Sequence, residues 1–209
     1  MTTGSIESGA HGARSSYLSA ASAPPATTGR GTVVVSEAAG VPAIRRGVRS
    51  AAVLLTFLGI AALVAAFGSV FSAAAIDGWY ETAAKPMWNP PNSVFGPVWT
   101  VLYTAMSVAA WLVWRRADSV ARSRALRMYV VQLALNAVWT PAFFGLGALL
   151  GAPGLWVALV IIVVLDFVIL AAIIRFGDVS RVAAALLVPY WFWALFATTL
   201  NAAIAVLAR

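Results

Sequence analysis

The sequence predicts an all-α integral membrane protein, a bundle of five transmembrane helices, on three observations. The chain is 62% hydrophobic and only 10% charged, where a soluble domain carries about 25% charged residues. Five apolar segments are each long enough to cross a hydrocarbon core, which takes roughly 20 helical residues. The basic residues are partitioned by loop.

The five segments are Ala51 to Ile76, Pro97 to Trp114, Met128 to Leu149, Gly154 to Ile174, and Val182 to Ala208. The third and fourth belong to one uncharged run from Met128 to Leu165. They are divided at Gly151-Ala152-Pro153-Gly154, a turn signal too strong for the inside of a straight helix. Pro141 and Pro189 each remove a backbone hydrogen bond within a span, so local kinks that widen the bundle are expected there. Residues 1–49 are rich in Ser, Ala, Gly and Thr without an apolar period. They read as a disordered tail ahead of a membrane domain at 50–209, and their arginines also suit a targeting peptide.

Of the 14 basic residues, twelve precede the first span, join the second to the third, or join the fourth to the fifth; Lys85 and Arg209 are the remaining two. The positive-inside rule therefore places the N-terminus in the cytoplasm and the C-terminus outside. The net charge of +7 then reports orientation, and no nucleic-acid partner is expected. The absence of cysteine excludes disulfides, thiolate nucleophiles and cysteine metal sites. The one histidine, His11, lies in the tail, so no serine, histidine and acid can meet in the membrane. Gly145, Gly147 and Gly151 do not form a dinucleotide fingerprint.

Lipid does not reward side chains that are not aliphatic, so their placement is informative. Trp99, Tyr103, Met106 and Ala110 share one face of the second span, and Gln132, Asn136, Trp139 and Phe143 repeat that spacing in the third. Tyr190, Trp193, Ala197 and Asn201 do so in the fifth. Three such faces suggest a shared interior. For Gln132, Asn136 and Asn201, interhelical glue and pocket lining both remain open. Asp166 is the one acid well inside a span, where an ionised carboxylate costs about 2.5 to 3.5 kcal/mol on insertion scales. It should face protein and hydrogen-bond a neighbouring helix, with a proton relay as the alternative. The Gly147-xxx-Gly151 spacing would permit close backbone approach in a dimer, or serve only the turn.

Between the first two spans lies a rigid aromatic stretch, KPMWNPPNSVFGPVW, with four prolines and two tryptophans. WYETAAKPMWNPP, VFGPVWTVLYTAM, QLALNAVWTPAFFG, VLDFVIL and LLVPYWFWALFATTLN, in that order, resemble the TspO/translocator protein family of tryptophan-rich sensory proteins and peripheral-type benzodiazepine receptors. The resemblance runs from about Phe67 to Asn201. It implies a five-helix bundle, commonly a homodimer, with a pocket for porphyrins and hydrophobic drugs, in an expected bacterial cell membrane. It also implies that Trp79 to Pro91 folds over the bundle as a lid, bringing Trp79, Tyr80, Lys85, Pro86 and Trp88 to the ligand. The alternative for Trp79, Tyr80 and Trp88 is membrane anchoring. The pocket itself would be lined from Trp99, Tyr103, Gln132, Asn136, Trp139, Phe143, Tyr190, Trp193, Ala197 and Asn201.

The chain departs from the family pattern at Ser93, usually tryptophan, and at Ala83, usually leucine, which predicts a looser lid. LNAAIAVLAR lacks the tyrosine of the sterol-recognition segment, so sterol handling loses support. The implied function is a membrane receptor or carrier for tetrapyrroles such as protoporphyrin or haem. No cofactor is required: the porphyrin is the ligand, held by stacking without an axial protein ligand. The alternatives are an enzyme that degrades porphyrin by light-driven oxidation and a purely structural membrane partner.

Overall fold

The computed structural model describes residues 40–208, with side chains from Ile44 onward. The described chain is helical throughout apart from its connections. The elements are α1 (Gly40–Ile76), α2 (Trp79–Thr82), α3 (Asn92–Trp114), α4 (Val120–Pro141), a π-helical turn (Ala142–Leu146), α5 (Gly147–Leu150), α6 (Ala152–Gly177) and α7 (Arg181–Leu207). Five helical stretches are long and apolar enough to cross a bilayer, one of them the continuous Val120–Leu150.

Helix α1 starts upstream of the membrane-domain start expected at residue 50. Pro42 falls in its first turn, where a missing N–H leaves no bond unmade. Residues 1–39 of the expected tail, with Arg14, Arg30 and His11, lie outside the described residues.

Local chemistry sets the helix boundaries. Ser119 and Ser180 cap α4 and α7, their hydroxyls accepting from the backbone N–H of Arg122 at 3.1 Å and Ala183 at 3.4 Å. Gly151 has φ of +63°, a left-handed conformation that favours glycine, and this reverses the chain between α5 and α6. Pro153 then sits at the start of α6, as a first-turn proline should.

Around the bundle the neighbours run α1, α3, α7, α6, α4 and back to α1. Packing is most extensive between α6 and α7 and between α4 and α6, so those three helices form the compact wall. Helix α1 is the most peripheral: Leu55, Leu63 and Val70 are all exposed, as suits a surface bathed in lipid. Of the two expected kinks, Pro141 is the point where α-helical geometry gives way to the π-turn. Pro189 lies within an unbroken α7.

Candidate functional site

Where α1 and α3 diverge below the connection between them, the bundle encloses a cavity of about 490 Å3, within the usual range for small-molecule sites. Its aromatic wall comes from Trp99 and Tyr103 of α3, Trp139 of α4, Phe143 and Phe144 of the π-turn and Trp193 of α7. Ala197 and Asn201 complete the α7 side, and Tyr80 closes the top. Trp139 stacks on Phe143 with centroids 5.5 Å apart and an interplanar angle of 25°. Trp99 and Tyr103 lie 5.5 Å apart, and Phe95 meets Trp193 edge-on at 5.9 Å. The π-turn places consecutive phenylalanines where Tyr80 contacts both, at 6.1 and 5.6 Å.

Behind this wall the polar side chains divide by role. The Tyr103 hydroxyl donates to Asn136 Oδ1 at 2.7 Å, and Asn136 Nδ2 donates to the Tyr190 hydroxyl at 3.1 Å. One asparagine thus ties α3, α4 and α7 together. Asn136 and Tyr190 are fully enclosed and do not reach the cavity surface. They were expected in its lining; here their hydrogen-bonding groups are turned toward each other, as buried polar groups must be. Asn201 does both, lining the cavity while accepting from Trp139 Nε1 at 3.3 Å and donating to the Leu155 carbonyl at 3.0 Å. Gln132, one turn from Asn136 and away from the π-turn, is buried and is not among the residues that line the cavity. Asp166 behaves as a structural hydrogen-bonding residue: its Oδ2 accepts from Thr198 Oγ1 at 2.7 Å, and its backbone carbonyl accepts from Trp191 Nε1 at 3.1 Å.

The lid is organised by two aromatic residues with different partners. Tyr80 is buried and donates to Asn89 Oδ1 at 3.1 Å, while Asn89 Nδ2 donates to the Pro90 carbonyl at 3.0 Å. Burial pushes the Tyr80 phenol above its ordinary pKa. Trp79 does not line the cavity; its Nε1 donates to the Phe144 carbonyl at 3.0 Å, pinning α2 to the π-turn. Lys85 also stays outside the lining. Its Nζ lies 4.8 Å from the Tyr80 ring centroid and donates to the Glu81 carbonyl at 2.9 Å, bracing the lid. Pro86 is buried within the lid but not against the cavity, and Trp88 is 56% exposed and turned outward. Of the five residues expected at the ligand from this connection, Tyr80 alone lines the cavity, and these four lie outside the lining.

Gly147 is not available to a dimer interface. A Cβ there would lie 2.9 Å from the Trp79 ring and 3.0 Å from Leu155, so its bare surface is already filled by the lid tryptophan and α6.

Sequence reasoning missed the contribution of α1. Gly68, Ser69, Ser72 and Ala73 line the cavity, opposite Asn92, Gly96 and Thr100 of α3. Ser69, Ala73, Asn92, Gly96 and Thr100 are also exposed, so the cavity reaches the molecular surface along the α1–α3 seam. The available signal was this cluster of small and hydroxylated residues in an otherwise aliphatic span.

The TspO/MBR family profile matches residues 56–207. The chain is 38% identical over 150 residues to a tryptophan-rich sensory protein of Cereibacter sphaeroides, covering 72% of this chain and 87% of that one. It is 40% identical over 125 residues to a translocator protein of Homo sapiens, covering 59% and 70% respectively. With the tryptophan-rich protein TspO of Archaeoglobus fulgidus the identity is 37% over 140 residues, covering 66% and 84%. A family match that begins within the first membrane-crossing stretch and runs through the cavity and the other four identifies an integral membrane protein that belongs to the TspO/MBR family.

Proposed function

We propose that this protein is a membrane receptor or carrier for tetrapyrroles, protoporphyrin and haem among them, taken up in the cavity beneath the lid. The observation that carries this reading is the aromatic wall. Trp99, Trp139, Phe143 and Trp193 come from three helices and the π-turn and converge on one cavity. Such faces attract a flat macrocycle by burial and by offset stacking, worth on the order of 0.5 to 1.5 kcal/mol per pair beyond burial. The hydroxyls of Ser69, Ser72 and Thr100 at the seam suit the polar edge of a ring whose remainder is apolar.

Binding here does not depend on an axial ligand to a metal. Met106 is fully enclosed and lies outside the lining, as does Tyr190; Tyr103 and Tyr80, which do line the cavity, are committed through their hydroxyls to Asn136 and Asn89. Metal-free protoporphyrin and haem should therefore bind with similar affinity. Titration of purified protein with each in the dark, followed by quenching of tryptophan fluorescence, tests this directly. A strong preference for haem with a low-spin ligand-field spectrum would defeat the stacking account. Loss of porphyrin with a new product under illumination would move the protein to a light-driven oxidative enzyme, and no saturable binding would leave a structural partner.

In the membrane, the arginine distribution supports a cytoplasmic N-terminus. An alkaline phosphatase fused to the C-terminus should be active in a bacterial host. An inactive fusion, with a cytoplasmic reporter working at the same end, would reverse the orientation.

A further inference from the structure

At the end of the bundle away from the lid, the side chains of α1 and α3 and the loop after α3 enclose a second groove of about 800 Å3. Trp111 and Trp114 line it. Trp111 is fixed in place, its Nε1 donating to the Ser50 carbonyl at 2.9 Å and hydroxyl at 3.1 Å. Each indole carries a guanidinium: Arg115 lies 4.5 Å from the Trp111 ring centroid and Arg49 lies 5.7 Å from that of Trp114. An arginine stacked on an aromatic face still presents N–H groups at its edge.

The charge in the groove is strongly one-sided. Five arginines line it, and Asp118 is the one carboxylate among the lining residues. That carboxylate is already paired with Arg122 at 2.7 Å. Arg122 also donates to the carbonyls of Trp114 and Arg116, so it is occupied by the end of α3 and the loop that follows. Among the described residues no carboxylate pairs with Arg49, Arg115 or Arg116. The lining also has apolar members: Ala51 and Leu54 of α1 contribute to it, next in sequence to the exposed Leu55. Helix α1 has 37 residues, a length of about 55 Å at 1.5 Å per residue. That exceeds a hydrocarbon core of about 30 Å, which puts the arginine-bearing turns at headgroup depth.

A soluble polyanion would use the arginines and leave Ala51, Leu54 and the indoles idle. A zwitterionic lipid would bring its own cation against Arg115 and Arg116. An amphiphile with net negative charge matches both halves. We propose that this groove is a site for an anionic phospholipid, with the phosphodiester held by Arg49, Arg115 and Arg116 and an acyl chain lying over Leu54. Arginine suits the task because its planar fork binds phosphate oxygens in pairs.

The test uses the full chain in mild detergent, with phosphatidylglycerol, phosphatidylcholine and inorganic phosphate as separate probes. Native mass spectrometry and thermal unfolding are the readouts. Phosphatidylglycerol should be retained and should raise the unfolding temperature, phosphatidylcholine should do neither, and phosphate alone should bind at least a hundredfold more weakly. The variant with Arg49→Gln, Arg115→Gln and Arg116→Gln should lose at least tenfold in phosphatidylglycerol affinity while still binding protoporphyrin, which separates this site from the cavity. If that variant does not fold, the single Arg116→Gln variant should lose twofold to fivefold and show a shallower salt dependence. Equal retention of the two lipids, or unchanged phosphatidylglycerol binding in whichever variant folds, would overturn the site. Phosphate binding as tightly as the lipid would overturn the lipid as occupant.

Discussion

Between α1 and α3, an indole at the arginine-rich end bonds across to the neighbouring helix, whereas the lid end is lined by hydroxyls that turn back on their own helices. At the arginine-rich end Trp111 Nε1 donates across the seam to the Ser50 carbonyl at 2.9 Å and hydroxyl at 3.1 Å, and the Ser107 hydroxyl lies 2.8 Å from the Tyr103 carbonyl of its own helix and 3.2 Å from the Phe57 carbonyl of α1. At the lid end Ser69 donates to the Ala65 carbonyl at 2.8 Å, Thr100 to that of Gly96 at 2.9 Å, and Thr104 to that of Thr100 at 2.8 Å. Both ends hold small polar residues, so composition does not separate them. What differs is the partner. An indole that bonds across a seam ties two helices, while a hydroxyl that bonds only its own turn is satisfied without a neighbour and leaves the seam free to part. The same helix pair thus supplies rigidity at one end and a cavity mouth at the other.

Substitution can break this contrast, beginning with the half tied across the seam. Met106 is fully buried there, and Met106→Ala should cost about 2 to 5 kcal/mol of stability through lost packing and a residual cavity. Thermal unfolding in detergent would measure it, and the ratio of haem to protoporphyrin affinity should stay unchanged. A changed ratio would make Met106 a haem ligand and erase the division between a packing half and a binding half.

In the open half the expected outcome is reversed. Trp193→Ala should weaken protoporphyrin and haem together by roughly tenfold, or about 1.4 kcal/mol, with a smaller loss of stability than Met106→Ala. Fluorescence titration and melting of the same preparation check both numbers. Unaltered affinity would remove α7 from the ligand wall.

The lid gives a smaller effect. A side chain at Gly147 must displace the Trp79 ring, and Gly147→Leu should loosen α2 from the π-turn. Stopped-flow measurement should then show ligand dissociation several-fold faster. The oligomeric state in mild detergent should not change, because this glycine faces the protein's own lid. A shift from dimer to monomer would return Gly147 to an intersubunit contact.

The smallest effect is one of pH. Burial raises the Tyr80 phenol pKa in the closed lid, so closure favours the neutral form. Its contribution is complete below the ordinary tyrosine value of about 10 and falls as pH rises through the raised value. Ligand retention should accordingly be flat across neutral pH and decline in strong alkali, in step with tyrosinate absorbance. Tyr80→Phe should remove the step assigned to this residue.

The sequence by itself determined the five membrane-crossing stretches, the break at Gly151 and the aromatic faces of α3, α4 and α7. The reason is physical: hydrocarbon penalises polar and charged groups over a fixed thickness, and helical spacing assigns residues to faces with no knowledge of the partner helix. Asp166 was legible in the same way, as a carboxylate that had to find a donor and found Thr198. Which polar residue ties helices and which meets a ligand was decided only in three dimensions. Asn136 and Asn201 are the same residue type on similar faces, yet Asn136 is enclosed by two tyrosine hydroxyls from different helices and Asn201 lies at the cavity surface. Trp79 and Trp88 share one short loop, and only the fold turns the first onto the Phe144 carbonyl and the second outward. The share of α1 in the cavity was hidden for a related reason. Ser69 and Ser72 satisfy their hydroxyls within their own helix, and so carry no mark in the chain of the neighbour they face. Pairing across helices depends on their order around the bundle and on the register between them, and periodicity along one helix encodes neither.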